Sequence, residues 1–339
     1  MSAEVGMITA IVLVLSAVLT GVVRRVALAR GVIDVPNARS SHAIPTPRGG
    51  GIAIVLTVSG ALLLLLALGK VSPSLVMALV GGGSMVAIVG YIDDRRPLPA
   101  SVRLFVHFVA AFWALACLGG LPPLQFGEHV VAFGWLGYPL GAVGIVWVLN
   151  LFNFMDGIDG IAGAEAAFIA IAGSLLLADC AGSSGRTASS LIFAAACLGF
   201  LLRNWPPASI FMGDVGSGYL GFFIAVCAIA PCNGNAVAPL VWLILGGVFF
   251  ADATATFARR LVRGEPVWAA HNSHAYQQLA RRWKSHLRVT LAVLALNLIW
   301  LLPIAFFAAK HPRYAGWFAL IALGPVLAMV CAAGAGRKS

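Results

Sequence analysis

Charge is what this chain lacks. Only 10% of its 339 residues are Asp, Glu, Lys or Arg, and 60% are hydrophobic; a soluble domain carries about 25% charged residues. Mean hydropathy is +0.95. A water-soluble globule cannot hide that much apolar surface, so a soluble enzyme, a coiled coil and a disordered chain are excluded. Alternation with period two is missing, and the apolar runs are about 20 residues long, which sets aside a transmembrane barrel. The six cysteines include no CxxC pair and read as small hydrophobes, with no spacing that argues for a Cys180–Cys232 disulfide. No basic stretch precedes the first apolar run and no A-x-A site follows it, so the first helix reads as retained rather than as a cleaved signal. No internal repeat is visible.

What is present is an all-α, polytopic transmembrane helical bundle. About 11 spans are expected, near 5–27, 50–68, 74–91, 102–120, 138–154, 160–178, 188–203, 216–231, 237–258, 288–308 and 315–333. With the amino terminus outside and the carboxyl terminus cytoplasmic, all but four of the 22 Lys and Arg fall on the inner side. The exceptions are Lys70, Arg186, Lys310 and Arg313. That asymmetry satisfies the positive-inside rule and accounts for the net charge of +10 without nucleic acid. Segment 121–137 has the alternation and Gly-Glu turn of a small external hairpin. Residues 1–339 then form one membrane domain, with loops 28–49, 92–101, 150–163, 204–217 and 259–287 on its cytoplasmic face.

The positive-inside rule says little about acids, yet the aspartates cluster. Asp34, Asp93, Asp94, Asp156, Asp159 and Asp214 fall at inner loops or helix ends, Asp252 lies close by in span nine, and only Asp179 is outside. Such crowding points to a cation site. Taken alone, Asp93-Asp94 reads as a helix end paired with Arg95 and Arg96. Asn150, Asn153 and Asp156 share a helix face in NLFNFMDGIDG, ahead of a glycine turn carrying Asp159. A helix cap explains Asp159 but not the two amides and second acid before it. Asp214 stands between glycines at a helix start, where free N–H groups favour phosphate.

Asn37, Arg39, His42, Arg48 and Gly49 lie in a loop whose Arg and Gly suit phosphate. His271 and His274, spaced i, i+3 behind Arg259, Arg260 and Arg263, lack a third ligand for zinc and suit a phosphate or sugar contact better. His107, inside span four, reads as a packed residue bonded to backbone. Oxygen ligands of this kind suit Mg²⁺ completed by substrate phosphates. The combination points to phosphoryl transfer between a soluble nucleotide and a lipid.

In this order, DVPNARSSHAIPTPRGGG, Asp93-Asp94, NLFNFMDGIDG, FMGDVGSG, FADATATFARR and HNSHAYQ resemble the polyprenyl-phosphate N-acetylhexosamine-1-phosphate transferases of glycosyltransferase family 4. The resemblance spans about residues 30–290. It implies Mg²⁺, with Mn²⁺ as an alternative, and transfer of sugar-1-phosphate from a UDP-N-acetylhexosamine to undecaprenyl phosphate with release of UMP. It implies Asp214 and Asn153 as metal ligands and Asp93, Asp94, Asp156 and Asp159 as catalytic residues, the first two positioning the lipid phosphate or acting as base and the other two supporting the metal or the nucleotide. Asn37, Arg39, His42, Arg48, Gly49, Asn150, Asp252, Arg259, Arg263, His271 and His274 become substrate contacts. The expected setting is the bacterial inner membrane, with lipid and a second copy of the chain as further partners.

His271-Asn-Ser-His274 departs from the His-x-His-His of many UDP-GlcNAc users. It resembles the O-antigen subgroup, which handles deoxy sugars such as UDP-N-acetylfucosamine or quinovosamine derivatives. The competing readings are an ion-coupled transporter, which would want midplane acids and repeated halves, and a phospho-MurNAc-pentapeptide transferase, whose loop carries three consecutive histidines. The pattern of CDP-alcohol phosphotransferases is not found.

Overall fold

The computed structural model describes residues 2–36, 44–178, 183–230, 238–267 and 271–337. It consists of helices α1 (Ala3–Ala29), α2 (Gly51–Ala67), α3 (Pro73–Asp93), α4 (Ala100–Leu118), α5 (Gly137–Met155), α6 (Ile161–Leu176), α7 (Ser184–Asn204), α8 (Asp214–Ile229), α9 (Ala238–Leu245), α10 (Gly247–Val262), α11 (Ala275–Trp283), α12 (His286–Lys310) and α13 (Ala315–Ala333). Strands β1 (Ile33–Asp34) and β2 (Thr46–Pro47) pair antiparallel. So do β3 (Leu124–Phe126) and β4 (His129–Val131), which form the expected hairpin.

Every expected span falls on a helix, and the protein is a multi-pass membrane protein. Among the described residues, seven helices are long and apolar enough to cross a bilayer, or eight if α9 and α10, bent by 81° at Gly246, form one span. The other three, α2, α6 and α8, have 17, 16 and 16 residues. At 1.5 Å per residue they fall short of a hydrocarbon core about 30 Å thick.

Of the short helices, α6 and α8 sit inside the bundle, while α2 turns one face outward through Leu56, Leu63 and Leu64. Fourteen of the 16 residues of α8 are buried, and it packs against α3, α5, α6 and α2. Small residues allow this approach, as in membrane helix pairs generally. A Cβ on Gly90 of α3 would stand 2.5 Å from the Asp214 carbonyl oxygen. Deeper in the bundle, Asn297 donates to Glu165 at 2.5 Å and ties a π-helical turn of α12 (Asn297–Leu301) to α6. The result brings the end of α3, the end of α5 and the starts of α6 and α8 to one end of the molecule.

Candidate active site

The start of α8 is capped by another helix. Gly213 precedes it with φ 78°, a left-handed conformation that a side chain would resist. The Asp94 carboxylate, at the end of α3, accepts from the backbone N–H of Asp214 at 2.9 Å and of Val215 at 3.2 Å. Arg48 donates to the same carboxylate at 2.5 Å. An acid thus meets the positive end of the helix dipole, and three donors hold a side chain that is only 1% exposed. Asp93 accepts from the Leu98 N–H at 2.6 Å and from Arg103 at 2.9 Å. The expectation that Arg95 and Arg96 pair with these acids is not met. Arg95 lies over the Tyr91 ring at 3.5 Å, and the partners come from afar, Arg48 from the loop before α2 and Arg103 from α4.

Asp214 lies between those cations. Arg48 is 3.9 Å from one carboxylate oxygen and Arg103 is 3.5 Å from the other. Its side chain is 27% exposed, which makes it more open than Asp93 or Asp94. It faces a cavity of about 240 Å³, shared with Arg48, Asn153, Asp156 and Asp159. Asn153 spends its amide N–H on Ser217 at 3.0 Å, so its carbonyl oxygen is the atom offered to a cation. Desolvation, then the charges of Asp214 and Asp94, push the Asp156 carboxyl well above the usual carboxylate range. The Asp159 carboxylate accepts from the Ala208 N–H at 3.1 Å and lies 3.3 Å from His286 Nδ1.

A second cavity, of about 490 Å³, is apolar and runs between α4 and α5. Leu104, Phe108, Val143 and Trp147 form its walls. Asn153 and Asp214 line both cavities, so the polar chamber and the apolar groove meet at these two side chains. Asn150 reaches only the groove and donates to the Val146 carbonyl of its own helix at 2.7 Å.

Other expected site residues lie apart from both cavities. Asp252 of α10 is 1% exposed and accepts from the N–H groups of Ala275 at 2.9 Å and Tyr276 at 3.0 Å, capping α11 as Asp94 caps α8. His274 is 3% exposed, with its Nδ1 3.4 Å from Asp252. His271 stacks on it at a ring separation of 4.8 Å. Burial first, then the neighbouring His274 and Arg260, lower the His271 pKa to about 4. Arg259 donates to the carbonyl of Ala335, and Arg263 to that of Gly336 at 2.6 Å. The carboxyl-terminal turn thus accepts from both arginines, though Arg263 stays exposed, and the Gly336 N–H donates to the Ser273 carbonyl at 2.7 Å. These are contacts within the fold, made because buried helix ends and bare carbonyls need partners. Gly49 adopts φ 95° at the entrance to α2. Asn37, Arg39 and His42 lie outside the described residues.

The sequence reading missed Arg103, Ser217, Gln277 and His286. Gln277 and His286 line the acid cavity, and Tyr276 fixes that wall by donating to the Phe154 carbonyl at 2.9 Å. One signal was available, since Arg103 is a charge at the edge of an expected span.

Among the described residues, no three carboxylate, imidazole or thiol groups converge as a ready-made metal cage. One open carboxylate, one amide oxygen and a nearby crowded acid instead fit Mg²⁺, which takes few protein ligands and completes its shell with water and substrate phosphates.

The glycosyl transferase family 4 pattern matches residues 76–231. A Bacillus subtilis protein named as a probable undecaprenyl-phosphate N-acetylglucosaminyl 1-phosphate transferase is 30% identical over 291 residues, 83% of this chain and 79% of its own. The decaprenyl-phosphate N-acetylglucosaminephosphotransferase of Mycobacterium tuberculosis is 31% identical over 332 residues, 86% of this chain and 78% of its own. The phospho-N-acetylmuramoyl-pentapeptide-transferase of Chlamydia muridarum is 32% identical over 230 residues, 61% of this chain and 66% of its own.

Proposed function

This chain belongs to glycosyl transferase family 4 and is a sugar-phosphate transferase; we propose that it moves an N-acetylhexosamine-1-phosphate from a UDP-sugar to undecaprenyl phosphate at the cytoplasmic face of a bacterial inner membrane. The observation that carries this reading is the meeting of a polar, acid-lined cavity and an apolar groove at Asp214 and Asn153. A soluble diphosphate and a lipid need separate approaches to one reacting phosphorus, and this is such a junction.

In the proposed reaction an oxygen of the lipid phosphate attacks the sugar-bearing phosphorus of the UDP-sugar. The new P–O bond forms as the bond to UMP breaks, and UMP leaves with the electron pair. Asp214 and the Asn153 carbonyl oxygen would hold Mg²⁺, or Mn²⁺, which supplies charge neutralisation between two anionic reactants. Arg48 and Arg103, already beside Asp214, orient phosphate oxygens by charge-assisted hydrogen bonds. Asp94 keeps the start of α8 in place, and Asp93 holds Arg103. A phosphate monoester is largely ionised near neutral pH, so positioning and electrostatics carry the rate more than proton removal. The sugar we propose is a deoxy sugar such as N-acetylfucosamine or N-acetylquinovosamine, or N-acetylglucosamine, and the product initiates a lipid-linked surface glycan such as O-antigen. The deoxy sugar rests on the His271-Asn-Ser-His274 sequence alone, since neither histidine lines either cavity.

The test is a screen of UDP-sugars, UDP-MurNAc-pentapeptide included, against the purified protein with undecaprenyl phosphate and Mg²⁺. UMP release with a UDP-N-acetylhexosamine is expected. Release with the pentapeptide donor alone moves the assignment to that branch, and ion flux without UMP release favours a transporter.

A further inference from the structure

His107 is a polar side chain set into an apolar wall. It lies on α4 four residues after Arg103, one helical turn and about 6 Å deeper, and both line the apolar groove. The residue is 9% exposed, and its Nδ1 is buried with no hydrogen-bond partner among the described residues. The backbone bond expected from sequence is therefore not made. A polar group inside a membrane bundle is costly and marks a ligand path by default.

The chemistry of the ring decides what it can offer. A neutral imidazole carries one proton, on either nitrogen. On Nδ1 that proton would be an enclosed donor that no acceptor reaches. Nε2 is not enclosed in this way, so the tautomer with the proton on Nε2 is the one that gives a groove-lining residue a usable donor. His107 then presents a single neutral donor in a wall made mostly of carbon. Such a donor suits an acceptor oxygen that arrives attached to an apolar chain.

We infer that His107 donates from Nε2 to a phosphate oxygen of the lipid acceptor and, with Arg103, sets the depth at which that phosphate stops beside Asp214. This rests on the reading of the groove as the acceptor's approach. His107 is thus a substrate-positioning residue that acts on the lipid and not on the nucleotide sugar.

The test is steady-state kinetics on purified protein, with undecaprenyl phosphate and the UDP-sugar varied separately. His107→Leu should raise KM for undecaprenyl phosphate about tenfold to a hundredfold, the range for a lost hydrogen bond to a charged group, and leave KM for the UDP-sugar unchanged. His107→Gln, which returns an N–H near the position of Nε2, should recover most of the loss. His107→Met serves as a second apolar variant in case the leucine protein does not fold. Equal changes in both KM values, an unchanged lipid KM, or no rescue by glutamine overturns the inference. A wild-type protein that ignores undecaprenyl phosphate overturns the reading beneath it as well, so the two failures are distinct.

Discussion

At the scale of single residues, identity and partner separate two kinds of acid. Asp94 and Asp252 are both buried and both cap the start of another helix, so their negative charge is used in holding the fold. Asp214 and Asp156 face the cavity, and their crowding is what a cation would relieve. The sequence shows that acids gather on one side. It does not show which acid faces a backbone N–H, because that contact spans 120 residues in the case of Asp94 and Asp214. For the same reason Arg95 and Arg96, adjacent in sequence, looked like partners while Arg48 and Arg103 are the real ones. His271 offers a pH test. Its folded pKa of about 4 lies below the 6.5 of a free histidine, so its contribution to stability is complete above 6.5 and is lost as pH falls toward 4. The thermal midpoint of the wild-type protein should drop over that window by more than that of His271→Asn. Equal drops would show that the histidine is not held neutral by its surroundings.

At the scale of elements, the apolar runs and the hairpin were legible because helix length and period are local properties. The innermost position of α8 was not legible, since its glycines matter only against neighbours that local pattern does not name. Gly213 makes that dependence testable. An added Cβ there would stand 2.5 Å from Asp94 Oδ2, on a backbone with φ 78°. Gly213→Ala should therefore displace the start of α8 and lower kcat about a hundredfold, the scale of a misplacement near 1 Å. Gly144→Ala on α5, where a Cβ meets nothing within 4 Å, is the control and should match wild type. A Gly213→Ala protein with normal turnover would mean that the cap does not position Asp214. Arg259 and Arg263 show the same dependence on distant chain, since their carbonyl partners lie more than 70 residues further along.

At the scale of the whole molecule, the fold joins two phases. Polar loops gather at one end of an apolar bundle, and a groove between α4 and α5 leads from the apolar wall to the acids. Function depends on that junction more than on any one loop, because the donor is water-soluble and the acceptor is not. The most direct test is single-turnover UMP formation at saturating Mg²⁺ by wild type, Asp214→Asn and Asp93→Asn. UMP should form only when undecaprenyl phosphate, UDP-sugar and the divalent ion are all present. Asp214→Asn should lose about a hundredfold to a thousandfold, the scale of one removed electrostatic stabiliser, and Asp93→Asn clearly less. UMP formed without the lipid, or equal losses in the two variants, would contradict the account.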